Sequence, residues 1–193
     1  ECLGDDMEEG RQQGYAYERP FKRPDGALRW LRTRGGAAVT SAFHGSDPVA
    51  LSVMVDVTEQ HEQAEREQLA MAMFTSSSEA ILITDAEARI VMANAAFREQ
   101  TGFAPEEVIG ANPRILQSGR HDADFYRGLW SDLQRDGHWQ GEIWNRRKDG
   151  GIYPALVNIS AVRDGTGRVS HYVGQSNDIS QQKEFENRIT YLA

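Results

Sequence analysis

The chain has 193 residues, 39% of them hydrophobic and 26% charged, with a formal net charge of −8. That much apolar matter excludes a disordered chain and provides for one or two domains. The acidic balance makes a poor general binder of nucleic acid or of anionic membrane, and the longest apolar runs, at 70–74 and 80–83, fall well short of the roughly 18 residues of a membrane helix. Cys2 is the only cysteine, which excludes an internal disulfide and a cysteine-based zinc site and fits a cytoplasmic location. The sequence opens in an acidic stretch without an initiator Met, as a fragment does.

Asp25 and Gly26 form the first hairpin signal, because glycine supplies the positive φ that such turns need. The run through Leu28 and Trp30, a turn at His44–Pro48 and a strand ending in Asp56-Val57-Thr58 complete a three-stranded meander. Thr58 suits the N-cap of the polar helix that follows, with Glu59–Leu69 as its clearest part. Its charge density and few apolar positions make it a weak coiled coil at best. Ala80–Asp85 and Ile90–Ala93 read as strands around a turn. Asn94–Gln100 reads as a short helix ending near Gly102. Ala104–Ile109 is a helix with Pro105 near its start and Gly110 past its end. Asp122–Gln134 is longer, with Phe125, Leu129, Trp130 and Leu133 on one stripe. Trp139–Asn145 opens a second meander, whose hairpin is Asp149-Gly150 and whose last strand ends in Asp178-Ile179-Ser180. Ser180 suits the cap of an exit helix.

The two meanders repeat one another. Their Asp-Gly turns lie 124 residues apart and their closing tripeptides 122 apart, so the copies differ by about two loop residues. The order β-β-α-α-α-β-β-β of the second copy predicts an α+β fold, an antiparallel sheet with grouped helices.

Residues of about 68–180 resemble a whole PAS domain with its PAC tail, and about 1–58 the C-terminal half of another. The residues that carry the resemblance are Ile83-Thr84-Asp85, Asn94–Phe97, Thr101-Gly102, Glu107–Gly110, Trp139–Glu142, Asn145–Gly150 and Asp178–Ser180. It implies a PAS fold: a five-stranded antiparallel sheet with helices on one face, flanked by signalling helices. The implied domains are 1–58 as the end of a first PAS unit, 59–76 as a linker helix, 77–180 as a complete unit and 181–193 as an exit helix. Asn187–Ala193 resembles the helix entering a GGDEF domain of cyclic di-GMP signalling proteins, which implies a C-terminal output domain of that kind; a histidine kinase is the alternative.

Asn112–Gln117 is similar to the flavin-holding segment of the light-sensing LOV branch, with Pro113 in place of the reactive cysteine. Composition therefore excludes the covalent photoadduct. The resemblance implies that Asn112, Arg114 and Gln117 hold a flavin, with Arg114 as a bidentate phosphate donor. Asn145 alternates with Trp139, Gly141 and Ile143 on an inward face. Asn145 and Trp130 match positions of flavin-binding redox-sensing PAS domains. The pattern departs from those domains at Leu82 and Pro113, and from LOV domains at Ala155 and Ser176. His121 falls near the axial histidine of haem-binding PAS domains, and haem ranks behind flavin (FAD or FMN) as a cofactor. His44, His61, His138 and His171 have no metal-ligand spacing.

Trp144 is expected on the outer face of the sheet, against Leu69, Met73 or Phe74 of the preceding helix, or in a homodimer. Asp178, Ser180 and Arg147, with Asp56 and Thr58 as counterparts, are expected to join strand to exit helix and to relay a signal. No phosphate loop, nucleophile elbow or kinase signature is present, so the chain is not expected to be an enzyme. Two readings stand: a sensor that binds a small molecule, and a ligand-free module that dimerises and relays strain.

Overall fold

A computed structural model describes residues 14–38 and 49–190. Cys2, the turn expected at His44–Pro48 and the last three residues lie outside them. The chain divides between Ala70 and Met71 into two units.

In the first unit, β1 (Tyr15–Lys22), β2 (Leu28–Ala38) and β3 (Val49–Asp56) form an antiparallel meander in that order. Its first hairpin turns at Gly26 with φ of 88°, and Asp25 Oδ1 accepts from the Ala27 N–H at 2.9 Å. On β3, Leu51, Val53, Met54 and Val55 are all exposed. Among the described residues this edge strand exposes apolar side chains on both faces. The helix α1 (Thr58–Ser76) starts in this unit and ends in the next.

The second unit contains β4 (Ala80–Asp85), β5 (Ile90–Ala93), α2 (Ala95–Thr101), α3 (Pro105–Val108), α4 (Ala123–Asp136), β6 (His138–Arg146), β7 (Ile152–Arg163), β8 (Val169–Asp178) and α5 (Ser180–Thr190). Its sheet runs β5-β4-β8-β7-β6, with every pairing antiparallel. Local chemistry sets the helix ends. Asn94 and Asp122 are N-caps, accepting from the N–H groups of Phe97 and Phe125 at 2.9 Å each, and Gly102 and Gly137 close α2 and α4 in the left-handed region. A 3-10 turn at Pro113–Leu116 was not predicted. Pro113 removes one backbone donor there, and Asn112 caps the turn instead of continuing a helix.

Two apolar clusters flank the inner face of the sheet. Leu129, Ile143, Tyr153, Ala155 and Val157 form one, and Ala80, Ile90, Phe97 and Val108 the other. Gly174 of the central strand β8 lies between them, opposite Leu82 on β4 and Ile159 on β7. A Cβ placed at Gly174 would meet only the Leu82 carbonyl oxygen, at an ordinary 3.8 Å, so a small side chain has room there.

Candidate functional site

The junction between β8 and α5 is built from three charged or polar side chains. Asp178 Oδ1 accepts from the Ser180 N–H at 2.9 Å and from the Ser180 hydroxyl at 2.6 Å. Asp178 Oδ2 accepts from Arg147, whose other terminal nitrogen donates to the Gln100 carbonyl. The Arg147 guanidinium also lies 4.0 Å above the Tyr153 ring, a cation–π contact. Because α2 ends at Thr101, its last carbonyls need donors. The β6–β7 turn supplies them, Arg147 to Gln100 O and the Lys148 N–H to Thr101 O at 2.9 Å. One arginine thus ties a helix end, a hairpin turn and the exit strand.

The first unit repeats part of this. Asp56 Oδ1 accepts from the Thr58 N–H at 3.0 Å and from its hydroxyl at 2.5 Å. The Val57 N–H donates to Trp30 O at 2.8 Å, as Ile179 does to Pro154 O at 3.0 Å. Thr58 and Ser180 were expected to cap their helices with their own oxygens. Instead the preceding aspartates cap, and both hydroxyls donate to them; Thr58 Oγ1 accepts from the Trp30 N–H of the sheet at 2.8 Å. A carboxylate two residues upstream is a stronger acceptor than a hydroxyl and also favours the positive end of the helix dipole.

Burial pushes the Asp178 carboxyl upward, but the bonds from Ser180 and Arg147 outweigh it and hold it below its ordinary 3.8. A depressed carboxylate contributes stability that is complete above its unfolded value and lost as pH falls through the folded one. The second unit is therefore expected to lose this increment only below about pH 3.8, and Asp178→Asn to flatten that part of a stability–pH curve measured by urea unfolding.

The interior carries a polar cluster. Asn145 stands opposite Tyr153 in the β6–β7 register, and Gln100 Nε2 donates to Ser176 Oγ at 2.9 Å and to the Tyr153 hydroxyl at 3.4 Å. Asn145 is 9% exposed and Tyr153 2%. Burial holds the Tyr153 phenol above its ordinary value of 10, so it is protonated at neutral pH. Trp130, 38% exposed, meets Tyr172 of β8 edge-on at 5.3 Å. An open cleft of about 440 Å³ runs past Ser78, Gln100, Arg147, Asn177 and Asp178.

Not every expected site residue joins this cluster. Asn145 lies on the inner face, and Trp130 packs against the inner-face Tyr172. Asn112 caps the 3-10 turn, and Arg114 and Gln117 are exposed. Arg114 Nε donates to Asn112 at 3.2 Å, and Gln117 meets Asn145 only through a backbone bridge. None of the three residues of that segment has a side-chain bond to the interior cluster among the described hydrogen bonds. His121 accepts from the Trp144 N–H at 3.0 Å and stacks on Phe125 at 4.0 Å; its Nε2 is used by the sheet edge. The Trp144 ring is covered by the Arg120 guanidinium at 4.0 Å, a partner the sequence reading did not name. Leu69 and Met73 are exposed, and Phe74 is half-buried.

The sequence reading also missed Gln100, Tyr153 and Gly174. Tyr153 could have been found from its alternation with Ala155 and Val157. Gln100 carried no local signal, since its side-chain partners lie 53 and 76 residues away. Among the described residues no group of three or more His, Cys, Asp or Glu could hold a metal, and no helix is long and apolar enough to cross a membrane.

The second unit is thus a five-stranded antiparallel sheet with helices packed against it and a charged strand–helix junction. The model of the PAS fold family matches residues 68–179, and the chain belongs to that family. It is 36% identical over 121 residues to a nitrogen fixation regulatory protein of Klebsiella oxytoca, covering 63% of this chain and 24% of that protein. It is 27% identical over 147 residues to a blue-light-activated histidine kinase of Rhizobium johnstonii, covering 75% of this chain and 41% of that one. A solved light-oxygen-voltage domain, studied with a flavin analogue, superposes with a TM-score of 0.53 at 30% identity, covering 67% of this chain and 99% of that structure. The chain therefore spans less than half the length of either curated relative.

Proposed function

We propose that the second unit binds a flavin, FAD or FMN, without a covalent bond and relays its state through the Asp178–Ser180 junction into α5. The observation that carries the relay is the double hold of Arg147 on Gln100 O and Asp178. A junction held by a few charge-assisted bonds has a second arrangement within reach of ligand binding energy. For the ligand, the inner wall offers amide and hydroxyl groups at Asn145, Tyr153, Gln100 and Ser176 beside the half-exposed Trp130 and the room over Gly174. That donor and acceptor set suits the heteroatom edge of a planar ring, and exposed Arg114 and Gln117 are available to the phosphate and ribose end. The likeness to a light-oxygen-voltage domain supports the same reading.

A flavin would supply redox and light absorption, while the residues here bind and orient it. Gly174→Leu is expected to occupy the room over Gly174 and reduce FAD uptake at least tenfold in a fluorescence titration, whereas Gly174→Ala, whose Cβ meets only the Leu82 carbonyl at 3.8 Å, leaves uptake within twofold. Equal uptake by the leucine variant would contradict a ligand at that place.

We further propose that residues 1–58 are the end of a preceding PAS unit, that 59–76 link it to the unit at 77–180, and that 181–193 lead to an output domain. The exposed apolar residues of β3 support a missing cover. The output is a GGDEF-type domain on the resemblance of Asn187–Ala193; the Rhizobium relative favours a histidine kinase as the second reading. In a cytoplasmic homodimer, exposed Leu69 and Met73, with Phe74 and Trp144, are the proposed contacts. Asp178→Ala in the intact protein is expected to uncouple output from signal, and unchanged regulation would contradict the relay.

A further inference from the structure

We propose that Gln100 is the positioning residue that connects the interior of the second unit to its exit junction. Its importance for sensing rests on the function proposed above, but the linkage is a property of the fold. Gln100 ends in two places at once. Its side-chain amide donates to Ser176 on β8 and Tyr153 on β7, at the inner wall. Its backbone carbonyl accepts from Arg147, which holds Asp178. The residue is in the last turn of α2, where the carbonyl has no helical partner and is free to be recruited. Tyr153 closes the loop, since its ring lies under the same guanidinium that Gln100 engages.

A movement of the Gln100 amide therefore shifts the end of α2 and the carbonyl with it. The Arg147 guanidinium is planar and rigid, with its two nitrogens committed to two acceptors. It cannot follow Gln100 O without changing its hold on Asp178, and Asp178 is what caps α5. A ligand edge that competes for the Gln100 amide or the Tyr153 hydroxyl reaches the exit helix by this route. None of the other interior side chains described above has both a bond to the inner wall and a backbone bond to Arg147.

Backbone amide exchange on the full chain, followed by NMR, tests the linkage without any ligand. Gln100→Met keeps the length of the side chain and removes its donors. It is expected to raise exchange at the Ser180 N–H roughly threefold to tenfold, the loss of one to two neutral hydrogen bonds. The Ala161 N–H, bonded to Gly137 O at 2.8 Å at the opposite end of β7 from Tyr153, is expected to stay within twofold. In an Arg147→Met background the same change is expected to add nothing further, because the route is already cut. Ser176→Ala, a milder change, is expected to move Ser180 in the same direction by a smaller factor. An unchanged Ser180, an equal rise at Ala161 or an additive effect in the Arg147→Met background would overturn the linkage. FAD titration of the unmodified chain is a separate arm: coupled exchange without FAD uptake supports the linkage and counts against the flavin reading alone.

Discussion

Arg147→Met is expected to lower the unfolding free energy of the second unit by about 1.5–3 kcal/mol, the range for hydrogen bonds to charged groups. Methionine preserves much of the apolar stem over Tyr153 but leaves Asp178 Oδ2 and Gln100 O without this donor. The pair is only 28% and 27% exposed at its side chains, so water replaces the lost bonds incompletely. An exposed surface pair would behave differently, at about 0–1 kcal/mol. Arg127, paired with Asp124 at side-chain exposures of 74% and 76%, provides that comparison. Urea unfolding of Arg147→Met and Arg127→Met side by side checks the contrast. Equal small losses would show that the junction is an ordinary surface contact.

Asn94→Ala is expected to be more damaging, at about 3–4 kcal/mol. Asn94 is 2% exposed and uses both ends of its amide. Oδ1 accepts from the Ile81 and Phe97 N–H groups, at 2.9 Å each. Nδ2 donates to Phe74 O at 3.1 Å and Glu79 O at 3.0 Å. One side chain thereby caps α2, fixes the start of β4 and holds the last turn of α1. Alanine removes the cap and leaves buried backbone groups unpaired, which are separate costs. Glu87→Ala, at an exposed turn, is expected within about 0.5 kcal/mol. A loss below about 1 kcal/mol for Asn94→Ala would mean that water satisfies these groups.

The fold was legible because its signals are local or periodic. The strands alternate, Gly102 and Gly137 end helices where the pattern stops, and the two Asp-Gly turns carry the same cap. The closing tripeptides were legible for the same reason, since Asp178 acts on Ser180 two residues away. The candidate site was legible only in part. Asn145 is on the inner face because β6 has period 2, which the sequence shows directly. Arg114 and Gln117 read as flavin-holding from the likeness of their segment to the LOV branch, and both are exposed after the turn at Pro113. Gln100 and Gly174 matter through contacts across the sheet that no window of sequence contains. Trp144 alternates with the buried Ile143 and Asn145, and its covering Arg120 comes from a loop whose path the sequence does not specify.

The most direct test of the account is the visible absorption spectrum of the purified 193-residue chain after incubation with FAD and removal of the free cofactor. The account predicts a protein-bound flavin band that denaturation releases as intact FAD by mass spectrometry, and that blue light does not convert to a cysteinyl adduct. A colourless protein that retains no FAD or FMN would contradict it.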